Sequence, residues 1–251
     1  MKKSLSTFFL ILIVLFSPTC LFAKYDYTLP KKTEKAIPIL VYHLVSDNIF
    51  SKNTDLFVKP KEFERQIKWI SENGFTTIFA NELFVGKNYS KPIVLTFDDG
   101  YIDNYEIVFQ LAKKYNVKFT IFIITDALNT RNNLTSAQVL EMYNSGLVSI
   151  QSHTKSHSDL QKLDSSQLEA ELKQSREVLF KLLGKNPTVI SYPFGSINYR
   201  VIEAVEKYYL YGYSTSNGNL SNGCNKFMIK RFGVSRGTTL DNIKKYINEI
   251  N

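Results

Sequence analysis

The chain has 251 residues, 44% of them hydrophobic and 22% charged, and it contains no internal repeats. This composition excludes disorder for most of the chain and leaves room for one barrel-sized domain or two small ones. The formal net charge is +8, but no basic block with interleaved aromatic residues accompanies it, so we expect no nucleic-acid partner.

The first 36 residues have the pattern of an export signal followed by a tether. Lys2 and Lys3 precede an apolar run at 8–16, and a possible cleavage site ends at Ala23. The run is shorter than a membrane span needs, so residues 1–23 are predicted to be a signal peptide that is removed. Residues 24–36 lack periodicity and are predicted to be a linker.

Removal of a signal peptide would set the charge, location and cysteine content of the mature chain. The mature chain would carry +6, because Lys2 and Lys3 are lost and no acid is lost with them. We expect it in the periplasm, at the cell surface or outside the cell, with no integral membrane span. Lipid attachment at Cys20 is an alternative. If cleavage follows Ala23, only Cys224 remains and no internal disulfide can form.

From Ile37 onward, short apolar strands alternate with amphipathic helices. The predicted strands are 39–42, 75–79, 93–97, 118–125, 147–150, 189–192, 209–213 and 227–234, and the predicted helices are 61–73, 105–115, 136–144, 164–183, 199–207 and 240–250. This alternation is typical of a parallel α/β sheet or barrel. We expect one domain, 37–251, with a barrel-like closure of about seven strands.

Glycine and capping residues predict where the helices begin and end. Gly74 follows the first helix, and Gly184 follows the longest. Asp164 or Ser166 is expected to cap the longest helix in a capping box with a glutamine or glutamate three residues later.

Four strand ends carry polar or turn residues. These are His43, the pair Asp98 and Asp99, the histidines His153 and His157, and the turn Pro193-Phe194-Gly195. Because parallel strands end at one rim, we expect all four groups to lie together. Each also has a structural interpretation, since Asp-Asp-Gly is a common turn and a strand-end histidine is often only packed.

The two later histidines have the spacing of metal ligands. His153 and His157 are four residues apart, which puts both imidazoles on one side of a helical turn or a tight loop. With one carboxylate from another strand they would form a two-histidine, one-carboxylate site. Such a site leaves positions open for water and substrate, so it is catalytic in character.

These motifs resemble a known family. Thr96-Phe97-Asp98-Asp99-Gly100 with His153-Thr154-Lys155-Ser156-His157 resembles the first two motifs of the polysaccharide deacetylases, the family-4 carbohydrate esterases with the NodB-homology fold. The resemblance covers residues 37–250 and implies a distorted (β/α)7 barrel. It implies that Asp99, His153 and His157 hold a divalent metal, usually zinc with cobalt or nickel as alternatives, and that Asp98 is the general base.

The chain departs from the common family pattern in two places. Ser191 stands where the third motif usually has arginine, and no histidine follows His157. Both departures match the circularly permuted deacetylases of exported poly-β-1,6-N-acetylglucosamine, in which a Tyr-His at the first strand replaces the late histidine. Here Tyr42-His43 occupies that place, and Arg231 is the candidate to position Asp98.

The resemblance also implies a reaction. Asp98 would take a proton from the attacking water, and His43 would protonate the leaving nitrogen. The backbone N–H of Phe194, with Pro193 and Tyr192 beside it, would contact the oxyanion or the substrate. The expected partner is an acetylated polysaccharide.

Other interpretations stay open on the sequence alone. The same fold could deacetylate peptidoglycan or chitin-like oligosaccharides, or bind a glycan without turnover. A metallohydrolase acting on phosphate esters or peptides is a further alternative, although the sequence offers no obvious second set of ligands. The sequence gives no oligomeric state.

Overall fold

The structure is a computed structural model, and it describes residues 37–48, 54–85, 87–218 and 225–250. The predicted signal peptide, the predicted linker and both cysteines lie outside these ranges. No helix within the described ranges is long and apolar enough to span a membrane.

Ten short strands alternate with helices along the described chain. The strands are β1 Ile39–Tyr42, β2 Leu44–Val45, β3 Phe57–Val58, β4 Thr76–Ile78, β5 Pro92–Phe97, β6 Phe119–Ile123, β7 Val148–Ser152, β8 Val189–Ser191, β9 Tyr211–Tyr213 and β10 Phe232–Gly233. The α-helices are α1 Pro60–Glu72, α2 Gln110–Tyr115, α3 Ser136–Asn144, α4 Ser165–Leu183, α5 Tyr199–Glu206 and α6 Leu240–Ile250.

Local signals account for most helix boundaries. Asp164 caps α4 and accepts a hydrogen bond from the Gln167 N–H, while the Gln167 side chain bonds back to the Asp164 N–H, which completes a capping box. The second predicted helix differs, because a π-helical segment, Asn104–Phe109, precedes α2. Hydrophobic periodicity alone does not distinguish such a segment from an α-helix.

The main sheet has eight parallel strands in the order β10-β1-β5-β6-β7-β8-β9, with β4 also paired to β5. Ile39–Tyr42 of β1 pairs with Val94–Phe97 of β5, so both strands end at the same height. A small parallel pair, β2 with β3, lies outside this sheet and was not predicted. Both faces of the main sheet are buried, which is why its strands are nearly continuous apolar runs.

The sheet closes on itself through the segment 226–233. Ser214 N–H donates to the Ile229 carbonyl at 2.8 Å, and Ile229 N–H donates to the Gly212 carbonyl at 2.9 Å. The chain then crosses to β1, where Leu40 pairs with Phe232. The predicted strand 227–234 is therefore wrong in extent, because this segment divides its hydrogen bonds between β9 and β1.

This closure gives a distorted (β/α) barrel, as predicted, with eight strands in the sheet rather than about seven. Apolar side chains from several strands fill the barrel interior, including Ile39, Val94, Phe122, Val189 and Tyr213. The opposite faces of the strands pack beneath the helices. One rim of the barrel therefore collects the carboxyl ends of the parallel strands.

Candidate active site

Asp99, His153 and His157 converge at this rim. Asp99 follows β5, His153 follows β7, and His157 lies four residues further on in a loop. Asp99 Oδ1 lies 3.3 Å from His153 Nε2 and 3.5 Å from His157 Nε2. One ligand atom from each residue falls within 4.8 Å of the others, and this is the one such cluster found among the described residues.

The donor set fits a divalent metal. Asp99 Oδ1 is buried and has no hydrogen-bond partner, although an unpartnered buried carboxylate oxygen is costly. Zinc binds nitrogen and oxygen at about 2.0–2.1 Å, so tetrahedral ligand atoms lie roughly 3.3–3.4 Å apart. The two Asp99–histidine distances are close to that value. The residues could therefore hold zinc or a similar cation with positions left open.

His153 is oriented by a backbone contact. Its Nδ1 lies 2.8 Å from the Ser191 carbonyl oxygen, which can only accept, so Nδ1 carries the proton and Nε2 keeps a lone pair facing Asp99. Burial lowers the pKa of His153, but the Asp98 and Asp99 carboxylates outweigh burial and raise it overall. The two carboxylates therefore favour a positive charge on His153, whereas burial lowers the pKa of His157.

Four site residues have backbone conformations that side chains disfavour. Asp99, Thr154, His157 and Phe194 have φ of 75°, 67°, 62° and 58°. Left-handed backbone is uncommon for residues other than glycine, and such residues gather at functional sites. These turns aim Asp99 and His157 inward, so the surrounding structure fixes the positions of these ligands.

Asp98 is held by a buried arginine. Arg231 Nη1 and Nη2 donate to the two Asp98 carboxylate oxygens at 2.8 and 2.7 Å, and Ser191 Oγ donates to Oδ2 at 3.0 Å. Both partners of the ion pair are almost fully buried. Burial raises the pKa of Asp98, but the Arg231 charge outweighs it and holds that pKa well below its ordinary value. Asp98 is therefore ionised at neutral pH.

Arg231 is itself fixed from three sides. Its Nε donates to the Ser214 carbonyl at 3.0 Å, and Nη1 also donates to Thr96 Oγ1 at 3.1 Å. Its guanidinium carbon lies 5.6 Å from the centre of the Phe122 ring and 5.9 Å from that of Tyr213. The arginine thus fills the barrel interior directly below Asp98.

His43 lies at the same rim, just after β1, and is partly buried. Burial lowers its pKa, and the charges of Asp98 and Asp99 oppose that effect. Asn104 Nδ2 donates to the His43 carbonyl at 3.2 Å, and Asp103 Oδ2 accepts from the Val45 N–H. The start of the π-helical segment therefore holds the backbone from the His43 carbonyl to the Val45 N–H.

The turn after β8 contributes one exposed ring and two buried residues. The Phe194 side chain is 66% exposed, and its ring centre lies 4.6 Å from that of His157. Tyr192 is 0% exposed, and its N–H donates to the Tyr213 carbonyl. Pro193 is buried and has no N–H. A substrate contact by the Tyr192 side chain is therefore not supported, because Tyr192 packs in the core.

An open cavity of about 390 Å³ lies beside the metal ligands. Asp99 and His157 line it, and Tyr101, Asp126 and Thr130 are among its other lining residues. Its polar groups and size suit part of a sugar chain.

The sequence prediction missed Ser191, Asp103 and Asn104 as partners in the site. In the sequence, Ser191 stands out only as the residue that replaces an arginine, yet its carbonyl orients His153 and its hydroxyl bonds Asp98. Asp103 and Asn104 follow the Asp-Asp-Gly motif within four residues and are both buried. Their polarity at the start of an apolar helical stripe was the available signal.

Comparison with known proteins identifies the family of the chain. A sequence model of the polysaccharide deacetylase family matches residues 86–213. The provisionally named polysaccharide deacetylase YxkH of Bacillus subtilis is 35% identical over 227 residues, covering 87% of this chain and 79% of YxkH. The poly-β-1,6-N-acetyl-D-glucosamine N-deacetylase of Staphylococcus epidermidis is 31% identical over 207 residues, covering 75% of this chain and 72% of that protein.

A solved structure shares the fold. A Streptococcus pyogenes deacetylase in complex with acetate superposes with a TM-score of 0.79 at 28% identity, covering 84% of this chain and 98% of the other. The family model spans half of the chain, and the match to YxkH spans most of it. The chain therefore belongs to the polysaccharide deacetylase family.

Proposed function

We propose that this protein is a metal-dependent hydrolase that removes N-acetyl groups from N-acetylglucosamine units of an exported polysaccharide, poly-β-1,6-N-acetylglucosamine. The observation that carries the proposal is the Asp99, His153 and His157 cluster beside an ionised carboxylate, Asp98. A cluster of ligands next to a separate base is the arrangement that hydrolysis of an unactivated amide requires.

Asp98 is the proposed general base. A divalent metal bound by the neighbouring cluster would make a water molecule acidic and polarise the amide carbonyl. Arg231 keeps Asp98 ionised, so at neutral pH Asp98 is in the form that can accept the proton of the attacking water. Because both its oxygens are fixed by hydrogen bonds, the carboxylate does not have to reorganise when it does so.

His43 and Phe194 complete the proposed reaction. The amide nitrogen must gain a proton to leave as an amine, and His43 is the remaining histidine at the rim. The Phe194 backbone N–H, held in a left-handed turn next to His157, is the proposed donor to the oxyanion. The products would be acetate and a glucosamine unit.

Two features support the β-1,6-linked polymer as substrate. The Staphylococcus epidermidis relative is named for that activity, and its match covers three quarters of this chain. The chain also has His43 after its first strand and no histidine after His157. Export is part of this proposal, with residues 1–23 removed after Ala23 and residues 37–251 forming the deacetylase domain.

A substrate panel tests the proposal. The purified protein, supplied with zinc, would be incubated with poly-β-1,6-N-acetylglucosamine, peptidoglycan and chitin oligosaccharides, and free acetate would be measured. We expect the fastest release from the β-1,6-linked polymer. Faster release from peptidoglycan or chitin would identify that glycan, rather than the β-1,6-linked polymer, as the substrate. No release from any glycan would favour a glycan-binding protein without turnover.

The proposed roles of the two neighbouring acids can be separated. Asp99→Ala should lose bound metal and activity together. Asp98→Asn should keep metal and lose turnover, because Asp98 is assigned to proton transfer. Metal content would be measured by elemental analysis and activity by acetate release, with chelator-treated and zinc-restored wild type as controls. Equal metal loss in both variants would contradict this division.

A further inference from the structure

The buried face of α4 carries a carboxylate that the proposed reaction does not use. Leu168, Leu172 and Leu179 form an apolar stripe, but Glu171 lies among them and is only 8% exposed. A buried carboxylate is costly unless hydrogen bonds satisfy it. Its retention on this face therefore requires partners.

Those partners belong to the loop between the two histidines, residues 153–157, here called the metal loop. Glu171 Oε2 accepts from the Lys155 N–H at 3.0 Å and the Ser156 N–H at 2.8 Å. Glu171 Oε1 accepts from Ser156 Oγ at 2.6 Å. One carboxylate therefore binds two successive backbone N–H groups and a hydroxyl of this loop.

Bonds to the segment after β6 also hold the metal loop, since the Thr125 and Asp126 N–H groups donate to the Thr154 and Lys155 carbonyls at 3.2 and 2.9 Å. Glu171 holds the N–H side of the same loop. Thr154 and His157 both have left-handed backbones, which are uncommon outside glycine and are rarest for a β-branched residue such as Thr154. Within the loop, the His157 N–H donates to Thr154 Oγ1 at 3.2 Å. A loop with two disfavoured residues needs external bonds to keep one conformation.

A second residue of α4 fixes the start of the same loop. Ser175 is fully buried one helical turn after Glu171, and its hydroxyl lies 3.0 Å from Ser152 Oγ. Ser152 Oγ in turn accepts from the Thr154 N–H at 3.1 Å. The polar groups of α4 thus fix the start and the middle of the loop.

We propose that Glu171 is a positioning residue for the metal site. Its carboxylate holds the metal loop so that His157 Nε2 stays beside Asp99 Oδ1 and His153 Nε2, which raises the affinity for the metal. The inference rests on the proposed function in one respect, that a divalent metal binds this cluster. Groups that orient metal ligands typically change metal affinity by about 10–100-fold when removed.

The test compares zinc affinity in Glu171→Ala, Glu171→Gln and wild type. Metal-stripped protein would be titrated with zinc in competition with a chromophoric chelator. We expect about 10–100-fold weaker binding in Glu171→Ala. The loss in Glu171→Gln should be smaller, because an amide keeps one acceptor oxygen but turns a donor toward the loop. Glu177→Gln is the matched control, since Glu177 is exposed on the same helix and loses the same charge.

The acetate-release rate at saturating zinc separates a role through the metal from a merely structural role, which added zinc would not restore. If Glu171 acts through the metal, saturating zinc should restore the acetate-release rate of Glu171→Gln close to that of wild type. Should Glu171→Ala fail to fold, Ser156→Ala removes the hydroxyl that bonds Glu171 Oε1 and Ser158 Oγ, leaves the two backbone N–H bonds to Oε2, and should still weaken zinc binding several-fold.

Two outcomes would overturn the inference in distinguishable ways. Folded Glu171→Gln and Ser156→Ala that bind zinc within twofold of a zinc-binding wild type would refute the role of Glu171 alone. A wild type that binds no zinc or other divalent metal would refute this inference together with the proposed function.

Discussion

Asp98 and Asp99 are adjacent in the chain but have opposite surroundings. Asp98 is an ion pair with Arg231, and both of its oxygens accept hydrogen bonds. Asp99 turns away through a left-handed backbone and leaves Oδ1 free of hydrogen bonds between two imidazoles. One carboxylate is thus stabilised as an anion by the protein, and the other needs a cation. This difference is the physical basis for giving them different roles.

His43 offers a sharp test at the level of one residue. His43→Asn should bind metal like wild type but hydrolyse acetamide substrates about 10²–10⁴-fold more slowly, because a general acid typically contributes that much. The deficit should shrink on an acetate ester with a good leaving group, since such a group departs without a proton. The measurement is the ratio of amide to ester rates, with metal content as the control. A variant that retains most amide activity would make His43 structural.

Asp103 should make stability depend on pH. Burial raises its pKa to about 7, so the folded protein keeps a proton that the unfolded chain releases near pH 4. The free energy of unfolding should therefore fall as pH rises from about 4 to 7 and be constant above that. Asp103→Asn removes this titration but keeps an oxygen to accept from the Val45 N–H.

The comparison is between wild type and Asp103→Asn in urea unfolding of metal-free protein. From pH 5 to pH 8, the free energy of unfolding of wild type should fall by about 2–3 kcal/mol more than that of Asp103→Asn. Other titrating groups are common to both proteins and cancel in this difference. Parallel stability curves for the two proteins would show that Asp103 is ionised in the folded state throughout.

At the level of elements, local sequence signals predicted where strands and helices lie better than they predicted which strands pair. Apolar runs located the strands of the main sheet, and Asp164 and Gly184 marked the ends of α4. The left-handed backbones at Asp99 and His157 could not be predicted, because only a small minority of Asp and His residues adopt that conformation. The surrounding contacts impose it, and they come from distant parts of the chain.

The turn after β8 shows how an element positions a functional group. Gly195 has φ of 66°, and a Cβ added there would lie 2.1 Å from Thr215 Oγ1. Gly195→Ala should therefore displace the turn that carries Phe194, lowering both the free energy of unfolding and kcat/KM. The measurements are urea unfolding and acetate release.

Gly184→Ala is the control for that variant. Gly184 has φ of 69°, but an added Cβ would meet nothing within 4 Å. The free energy of unfolding of Gly184→Ala should fall by about 1–2 kcal/mol, the cost of an alanine in a left-handed conformation. Its kcat/KM should be unchanged. Equal loss of activity in both variants would mean that the Phe194 turn has no special part in turnover.

At the level of the whole molecule, barrel closure and the site share one residue. Arg231 lies on the segment that joins β9 to β1, and it pairs with Asp98 at the end of β5, 133 positions away in the chain. The sequence suggested Arg231 only as a candidate partner for Asp98. The contacts with Thr96, Ser214 and the two rings could not be predicted, because they depend on how the barrel closes.

A double-mutant cycle tests whether this pair holds the barrel together. Arg231→Met and Asp98→Asn should each be strongly destabilising, by about 3–5 kcal/mol, since each leaves a buried group without its partner. The free energy of unfolding of the double variant should fall by clearly less than the sum of the two single losses, because the double variant buries no unpaired charge. Urea unfolding of the metal-free proteins gives the four free energies, and strict additivity would mean that the two residues act independently.

The pH dependence of stability in wild type and Arg231→Met shows whether Arg231 stabilises the barrel through its charge. In wild type, the lowered pKa of Asp98 contributes stability that is present above about pH 4 and is lost as pH falls through the folded pKa. In Arg231→Met the carboxylate is buried without a cation, so its pKa should rise. The stability deficit of Arg231→Met should therefore be largest at pH 7 and shrink toward pH 4, where Asp98 takes up a proton. A deficit that is constant with pH would show that Arg231 stabilises the barrel by packing rather than by its charge.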